Sequence, residues 1–177
     1  ARWAEDLKLE LDIIAGPAPE NAAAYRLRLP GPRKSSLADY KVGFVTDDPF
    51  CPVHPEIKSI IGDAIGALRK KGVKLKEGWP DGIVFSDFFD TYFSLLAAYV
   101  SQSPAFTDSV IQMMKMLFFM PFGETQRRFV EGLTISHKAW TELSVQRLKS
   151  RLAWQEYFKT YDAFLMPANC VPAFPHN

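Results

Sequence analysis

The sequence predicts an α/β fold on three observations. Two short β-rich runs flank an amphipathic helix between residues 40 and 75. Helical periodicity then dominates residues 84–161, and residues 163–166 form a further short apolar run of the kind found in buried strands. Strands that alternate with helices favour a sheet covered by helices.

The first 36 residues predict one helix followed by a loop. Ala4, Leu7, Leu11 and Ile14 recur at helical spacing within residues 1–16, and Gly16 followed by a proline ends the pattern. Residues 17–36 contain four prolines and no periodicity. We therefore expect mostly extended surface backbone there.

Residues 40–75 predict a βαβ unit. Residues 40–45 read as a strand, Pro55 suits the first turn of a helix with His54 as its cap, and residues 73–75 read as a second strand. The helix between them ends in a basic turn before Gly72. Such a unit normally places its two strands parallel, with a right-handed crossover.

Three more helices are expected, over residues 84–100, 107–120 and 124–161. The last of these is predicted as one long helix because its apolar residues recur at roughly helical spacing throughout. A strand at 163–166 and a proline-rich loop at 167–176 complete the chain.

Composition narrows the class of function. The chain of 177 residues carries 21 basic and 20 acidic residues, a net charge of +1, which gives no basic face for nucleic acid. No uncharged run reaches the length of a membrane span, and charges on the first helix argue against a signal peptide. Two distant cysteines, Cys51 and Cys170, suit a reducing compartment, so we expect a cytoplasmic protein. The initial alanine leaves open a processed chain or a piece of a longer one.

Chemical motifs are scarce. The sequence contains no G-x-S-x-G, H-E-x-x-H, P-loop or G-x-G-x-x-G motif, and its three histidines lack the spacing of metal ligands. We interpret His54 as a cap and His137 as an ordinary helix position. Asp47 and Asp48 are read as turn formers rather than an acid pair. The basic run at 69–76 offsets the end of a helix dipole. No metal and no cofactor is expected.

The densest apolar cluster lies between residues 110 and 122, where methionines and phenylalanines cover nearly every face of the predicted helix. Such side chains suit an adaptable pocket, and they equally suit an ordinary core. One alternative is therefore a non-catalytic α/β module that binds an apolar ligand or partner through residues 110–122. Another is an interfacial membrane protein that uses residues 111–122.

Three stretches, taken in order, resemble the amidase signature family. The first is ARWAEDLKLELDIIAG at 1–16, which resembles the family's G-P-M-A-R-S stretch with its acidic pair and apolar helix. The second is the strand, turn and helix of residues 37–75, in which His54 replaces the usual aspartate. The third is YDAFLMPANCVPAFPH at 161–176, similar to the family's YD-x-x-L-x-P and P-A-F-P elements. Residues 80–123 match no family pattern, as in the family's variable insert.

The resemblance implies the downstream part of an amide hydrolase, with a mixed sheet covered by helices that is incomplete in this chain. It divides the chain into a flank at 1–79, a variable helical insert at 80–123 and a long helix, strand and loop at 124–177. The family's Ser-Ser-Lys triad lies in a Gly/Ser-rich region upstream of the segment where this chain starts. No residue here matches the triad, and Ser35–Ser36 lacks the neighbouring glycines.

The implied enzyme forms an acyl-serine intermediate on a small-molecule amide and needs no cofactor. Its catalytic residues are expected on an upstream segment of the same protein, and its oligomeric state is left open. Membrane binding is not expected. The resemblance implies that the variable insert and the final loop reach the acyl channel. Their density of methionine and phenylalanine leads us to expect a substrate-binding wall formed by Met113, Met116, Met120, Phe122 and Phe174.

Overall fold

The computed structural model describes residues 3–103, 107–108, 110–111 and 124–173. The chain divides into two compact units, Ala1–Ser35 and Ser36–Asn177. In the first unit, helix α1 spans Ala4–Ile14, as predicted, and a single 3₁₀ turn at Pro19–Asn21 interrupts the expected loop. No residue of α1 is buried, and Ile14 is 78% exposed.

The second unit contains a three-stranded parallel sheet of order β2-β1-β3. Strand β1 spans Lys41–Phe44, β2 spans Lys74–Glu77 and β3 spans Ala163–Leu165, and helix α2 at Pro55–Lys70 connects β1 to β2. Gly43 at the centre of β1 pairs with Lys76 on one side and Phe164 on the other. The parallel βαβ unit and the α/β class are thus confirmed.

Local signals explain the bounds of α2. The His54 ring accepts a hydrogen bond from the Glu56 N–H at 3.3 Å, and Pro55 occupies the first turn, where its missing N–H costs nothing. The last turn is basic. Gly72 then adopts a φ of +82°, a conformation that favours glycine, and turns the chain into β2.

The described part of this unit contains three more helices: α3 at Phe85–Val100, α4 at Glu124–Gly132 and α5 at His137–Thr160. Among the described residues, a small core of Ala97, Ile111 and Leu133 joins α3 to the end of α4, with Phe129 packed against it. Gly132 permits this close approach, because a Cβ there would lie only 2.7 Å from the Ser94 carbonyl oxygen.

The single long helix predicted over 124–161 is wrong. The chain leaves the helix after Gly132 and restarts at His137, where the Ser136 hydroxyl accepts a hydrogen bond from the Ala139 N–H at 3.2 Å. Serine at this position competes for the backbone and begins a new helix. The helix predicted over 107–120 lies largely outside the described residues. At its predicted start, the Thr107 hydroxyl accepts a hydrogen bond from the Val110 N–H.

Much apolar surface stays uncovered in the described part of the second unit. Strands β2 and β3 are the outer strands, and each pairs on one side only within the described residues. Along α5, Val145, Leu148 and Leu152 lie at helical spacing and are 49%, 51% and 54% exposed. Parallel sheets are normally covered on both faces, so this amount of exposed apolar surface beside one is unusual. In the described part of the chain, no helix is both long and apolar enough to cross a membrane.

Candidate functional site

The carboxyl edge of the sheet is the candidate functional site. Because the three strands are parallel, the segments that follow them leave from the same edge, where open α/β sheets bind their ligands. We name these segments the β1 loop (residues 45–54), the β2 loop (residues 78–83) and the β3 loop (residues 166–173).

Two aspartates shape the β1 loop from within. Asp47 accepts a hydrogen bond from the Val53 N–H at 2.8 Å and pairs with the Lys58 ammonium. The Lys58 hydrogen bond, followed by that of Val53, holds the pKa of Asp47 below its ordinary value. Asp48 accepts from the Phe50 N–H at 2.9 Å. Both carboxylates therefore fold the turn, which confirms the reading of this pair as turn formers.

Trp79 connects the β1 and β2 loops. Its indole N–H donates to the Asp48 carboxylate at 2.8 Å. Its ring stacks on Phe85 at 5.0 Å between centroids, with an interplanar angle of 7°, and on Phe164 at 5.4 Å. Trp79 is half-buried, and its indole N–H needs such a partner away from solvent, so the aspartate fixes the ring that the two phenylalanines enclose.

A disulfide joins Cys51 of the β1 loop to Cys170 of the β3 loop. In the sequence, these two distant cysteines suit a reducing compartment, and no bond between them is predicted there. Strands β1 and β3 are neighbours in the sheet, which brings loops 119 residues apart in sequence to a Cα–Cα distance of 6.5 Å. The Cys170 carbonyl also accepts a hydrogen bond from the His54 N–H at 2.8 Å.

A cleft of about 340 Å³ lies between β1, the β2 loop and α5. Its floor is Gly43, and its wall includes Tyr157, Tyr161 and Lys76, whose ammonium sits 5.8 Å from the Tyr161 ring centre. Burial raises the pKa of the Tyr157 phenol above its ordinary value. The phenol donates a hydrogen bond to the Ala163 carbonyl at 3.3 Å.

The structure does not test the residues that were expected to bind substrate. All of them lie outside the described residues: Met113, Met116, Met120, Phe122 and Phe174. Phe174 directly follows the described part of the β3 loop. The wall they were expected to form remains a prediction.

The other singled-out side chains have local roles. His54 caps α2, as predicted, and His137 begins α5 with its ring stacked on Trp140 at 6.0 Å. The Ser36 hydroxyl accepts from the Ala38 N–H at 3.3 Å and caps a 3₁₀ turn at Leu37–Asp39. Within the described ranges, no group of three or more potential metal-binding side chains is found.

The sequence reading missed the three loops as a group. A signal was present in the residues that follow each strand: two aspartates after β1, a tryptophan after β2 and a cysteine among prolines after β3. What was missing was the strand order, because only the placement of β3 beside β1 brings these residues to one edge.

Comparison with known proteins gives one family. The family model described as Amidase matches residues 1–177, the whole of the chain. No curated protein and no solved structure gives a significant match.

Proposed function

The chain belongs to the amidase signature family, and from this premise we propose that it is part of an enzyme that cleaves carboxylic amide C–N bonds through an acyl-serine intermediate. The observation that carries the proposal is the family match over every residue of the chain. Membership of the family places the chain among amide hydrolases. The acyl-serine step, and the assignment of the catalytic residues to a different segment of the protein, are our additions.

The proposed chemistry begins with a serine hydroxyl, which is a poor nucleophile until a base removes its proton. In the family resemblance, a neutral lysine acts as the base through a bridging serine. Backbone N–H groups of a Gly-rich loop then stabilise the oxyanion, each contributing about 3–4 kcal/mol. The amine leaves with a proton, and water attacks the acyl-serine to release the acid and restore the hydroxyl.

We place these catalytic residues on a segment of the protein upstream of residues 1–177. The one adjacent serine pair in this chain is Ser35–Ser36. The Ser36 hydroxyl is engaged as a helix cap, and the pair has no glycine-rich surroundings to supply oxyanion donors. These observations favour a structural role for the chain, and we assign none of its residues to the triad.

The chain would contribute strands, covering helices and part of the acyl-binding wall. Open outer strands in the described sheet and the half-exposed Val145, Leu148 and Leu152 of α5 support this, because such surfaces are normally covered in a folded enzyme. We assign residues 1–79 to the flank, 80–123 to the variable insert and 124–177 to the terminal helix, strand and loop.

We further propose the class of substrate that this enzyme binds and the compartment in which it works. The substrate is a small-molecule amide whose acyl part contacts Met113, Met116, Met120, Phe122 and Phe174. The balanced charge of +1 supports no role for nucleic acid. We propose a cytoplasmic location, because the chain has only two cysteines, and the bond between them is then of the transient kind found in that compartment.

The proposal is tested by following amine release from a panel of amides with short aliphatic, aryl and long-chain acyl groups. The protein is assayed as it is naturally produced, and acyl transfer to hydroxylamine is measured in parallel, since an acyl-enzyme partitions between water and added nucleophile. We expect both amide hydrolysis and hydroxamate formation. Formation of the acyl-enzyme should limit the rate of both reactions. Absence of hydrolysis across the panel by a folded protein would overturn the proposal.

A further inference from the structure

The Cys51–Cys170 disulfide connects two loops at the carboxyl edge of the sheet. Cys51 lies in the β1 loop, and Cys170 lies in the β3 loop. The strands that carry these loops pair in parallel, and the ladder extends past β1, because the Val45 N–H donates to the Leu165 carbonyl at 3.0 Å. The disulfide therefore holds together the two segments that follow these paired strands.

The β3 loop depends on Cys170 for its attachment. Cys170 supplies both bonds that tie residues 166–173 to another segment in the described part of the chain: the disulfide and the carbonyl that accepts from the His54 N–H at 2.8 Å. The neighbouring side chains are largely in solvent, with Met166 46% and Val171 58% exposed. Little apolar burial holds this loop in place.

The β1 loop is fixed without the disulfide. Asp47 binds the Val53 N–H and the Lys58 ammonium, and Asp48 binds the Phe50 N–H and the Trp79 indole. The Cys51 N–H itself donates to the Asp48 carbonyl at 3.1 Å. Breaking the disulfide would thus free one loop and leave the other in place.

We propose that Cys51 and Cys170 form a redox switch, in which oxidation straps the β3 loop against the β1 loop and reduction releases it. Both cysteines are only half-buried, so a reductant can reach them. In the cytoplasmic location proposed above, disulfides are most often transient and redox-sensing, and the chain has no other cysteine with which this pair could exchange.

The chemistry is thiol–disulfide exchange with a cellular dithiol. A thiolate of the dithiol attacks one sulfur of the pair, the S–S bond breaks, and the other cysteine leaves as a thiolate. The second thiol of the reductant then attacks its own sulfur in the mixed disulfide and frees the remaining cysteine. Two electrons pass to the protein, the dithiol becomes a disulfide, and its two protons end on the cysteine thiols.

The test follows hydrogen exchange and thiol alkylation in the full protein, equilibrated with reduced or oxidised dithiothreitol. Oxidised protein is expected to resist alkylation at both cysteines. Reduction is expected to speed exchange of the His54 N–H, whose acceptor is the Cys170 carbonyl, about tenfold or more while exchange in β1 stays unchanged. In oxidised buffer, Cys51→Ser and Cys170→Ser should each exchange like the reduced protein and show no response to dithiothreitol.

Three results would overturn the switch. The first is alkylation of both cysteines in the folded protein under oxidising conditions. The second is exchange of the His54 N–H that does not change on reduction. The third is an equal rise in exchange across β1, since this would mean that the disulfide holds the whole sheet rather than one loop. Because the variants remove the bond without a reductant, they separate its loss from other effects of dithiothreitol.

An effect on amide hydrolysis would rest on the proposed function, since the β3 loop leads directly to Phe174. If reduction changes loop exchange and also changes kcat/KM, both proposals are supported. If exchange changes while hydrolysis stays constant, the switch stands and the placement of this loop at the acyl site fails. If exchange does not change, the switch fails whatever the enzyme hydrolyses.

Discussion

The Tyr157 hydroxyl of α5 lies directly over Gly43 of β1, at a point where any larger residue on the strand would collide with it. A Cβ at Gly43 would also come within 3.0 Å of the Phe164 ring. The contact sets how closely α5 approaches the sheet, and it fixes the floor of the adjacent cleft.

The variant Gly43→Ala is therefore expected to destabilise the fold by about 1–3 kcal/mol, because the added methyl group must displace the Tyr157 ring or the strand. Urea denaturation measures this change. Gly62→Ala in α2 is the matched control, since a Cβ there meets nothing within 4 Å. The control should be neutral or stabilising by about 0.5–1 kcal/mol.

Adding Tyr157→Phe to Gly43→Ala should restore part of the lost stability, since it removes the hydroxyl that the new Cβ meets. Equal losses in the two glycine variants, or no rescue by the phenylalanine, would contradict the close approach of α5 to the strand.

The hydrogen bond between Asp48 and the Trp79 indole should be worth more than a surface contact. Asp48→Ala leaves the Trp79 and Phe50 N–H groups without their acceptor and is expected to cost about 1–3 kcal/mol. Asp48→Asn keeps one acceptor oxygen and should cost less. The free energy of unfolding checks both, and a larger loss in the asparagine variant would argue against this role.

Asp47 should make stability depend on pH in the acid range. Its pKa is lowered in the folded protein, so its contribution is present above 3.8, its ordinary value, and is lost as the pH falls through the folded value. Asp47→Asn is expected to melt at a slightly lower temperature than the parent at pH 7. The difference should shrink below pH 3.8 and also in high salt, because the pair with Lys58 is exposed.

The matched control for this pair is Lys58→Met, which removes the partner that contributes most to the lowered pKa. It should show the same loss of pH dependence. A melting difference between parent and Asp47→Asn that is constant from pH 7 to pH 3 would contradict the assignment.

The proposed acyl wall predicts a substrate-dependent loss of activity. Met113→Ala, Phe122→Ala and Phe174→Ala should lower kcat/KM about tenfold or more for a long-chain amide, since each removes several methylene equivalents of contact. Acetamide, which cannot reach the wall, should be hydrolysed as before. Ile60→Ala on the exposed side of α2 is the control. Equal losses for both substrates would place these residues elsewhere.

The sequence predicted the sheet better than the helices around it. Period-two alternation and the Pro55 helix start are local signals, and they were enough to predict the parallel βαβ unit. The break between α4 and α5 was missed because apolar residues continue at helical spacing across it. The tight contact of Gly132 with Ser94, a tertiary feature, goes with the end of α4.

The candidate site was harder to predict for a related reason. The roles of Asp47 and Asp48 as turn formers could be predicted from the sequence, because their hydrogen-bond partners are close in sequence. The Cys51–Cys170 bond and the enclosure of Trp79 by Phe85 and Phe164 depend on where β3 joins the sheet. No pattern within a window of sequence carries that information.

The central claim is that the nucleophile of this amidase lies outside these 177 residues. The most direct measurement is to label the naturally produced protein with a fluorophosphonate, which forms an adduct with an activated serine, and to locate the adduct by peptide mass spectrometry. We expect one adduct, on a serine upstream of residue 1, and no amide hydrolysis by residues 1–177 alone. An adduct within residues 1–177, or amide hydrolysis by this chain alone, would contradict the account.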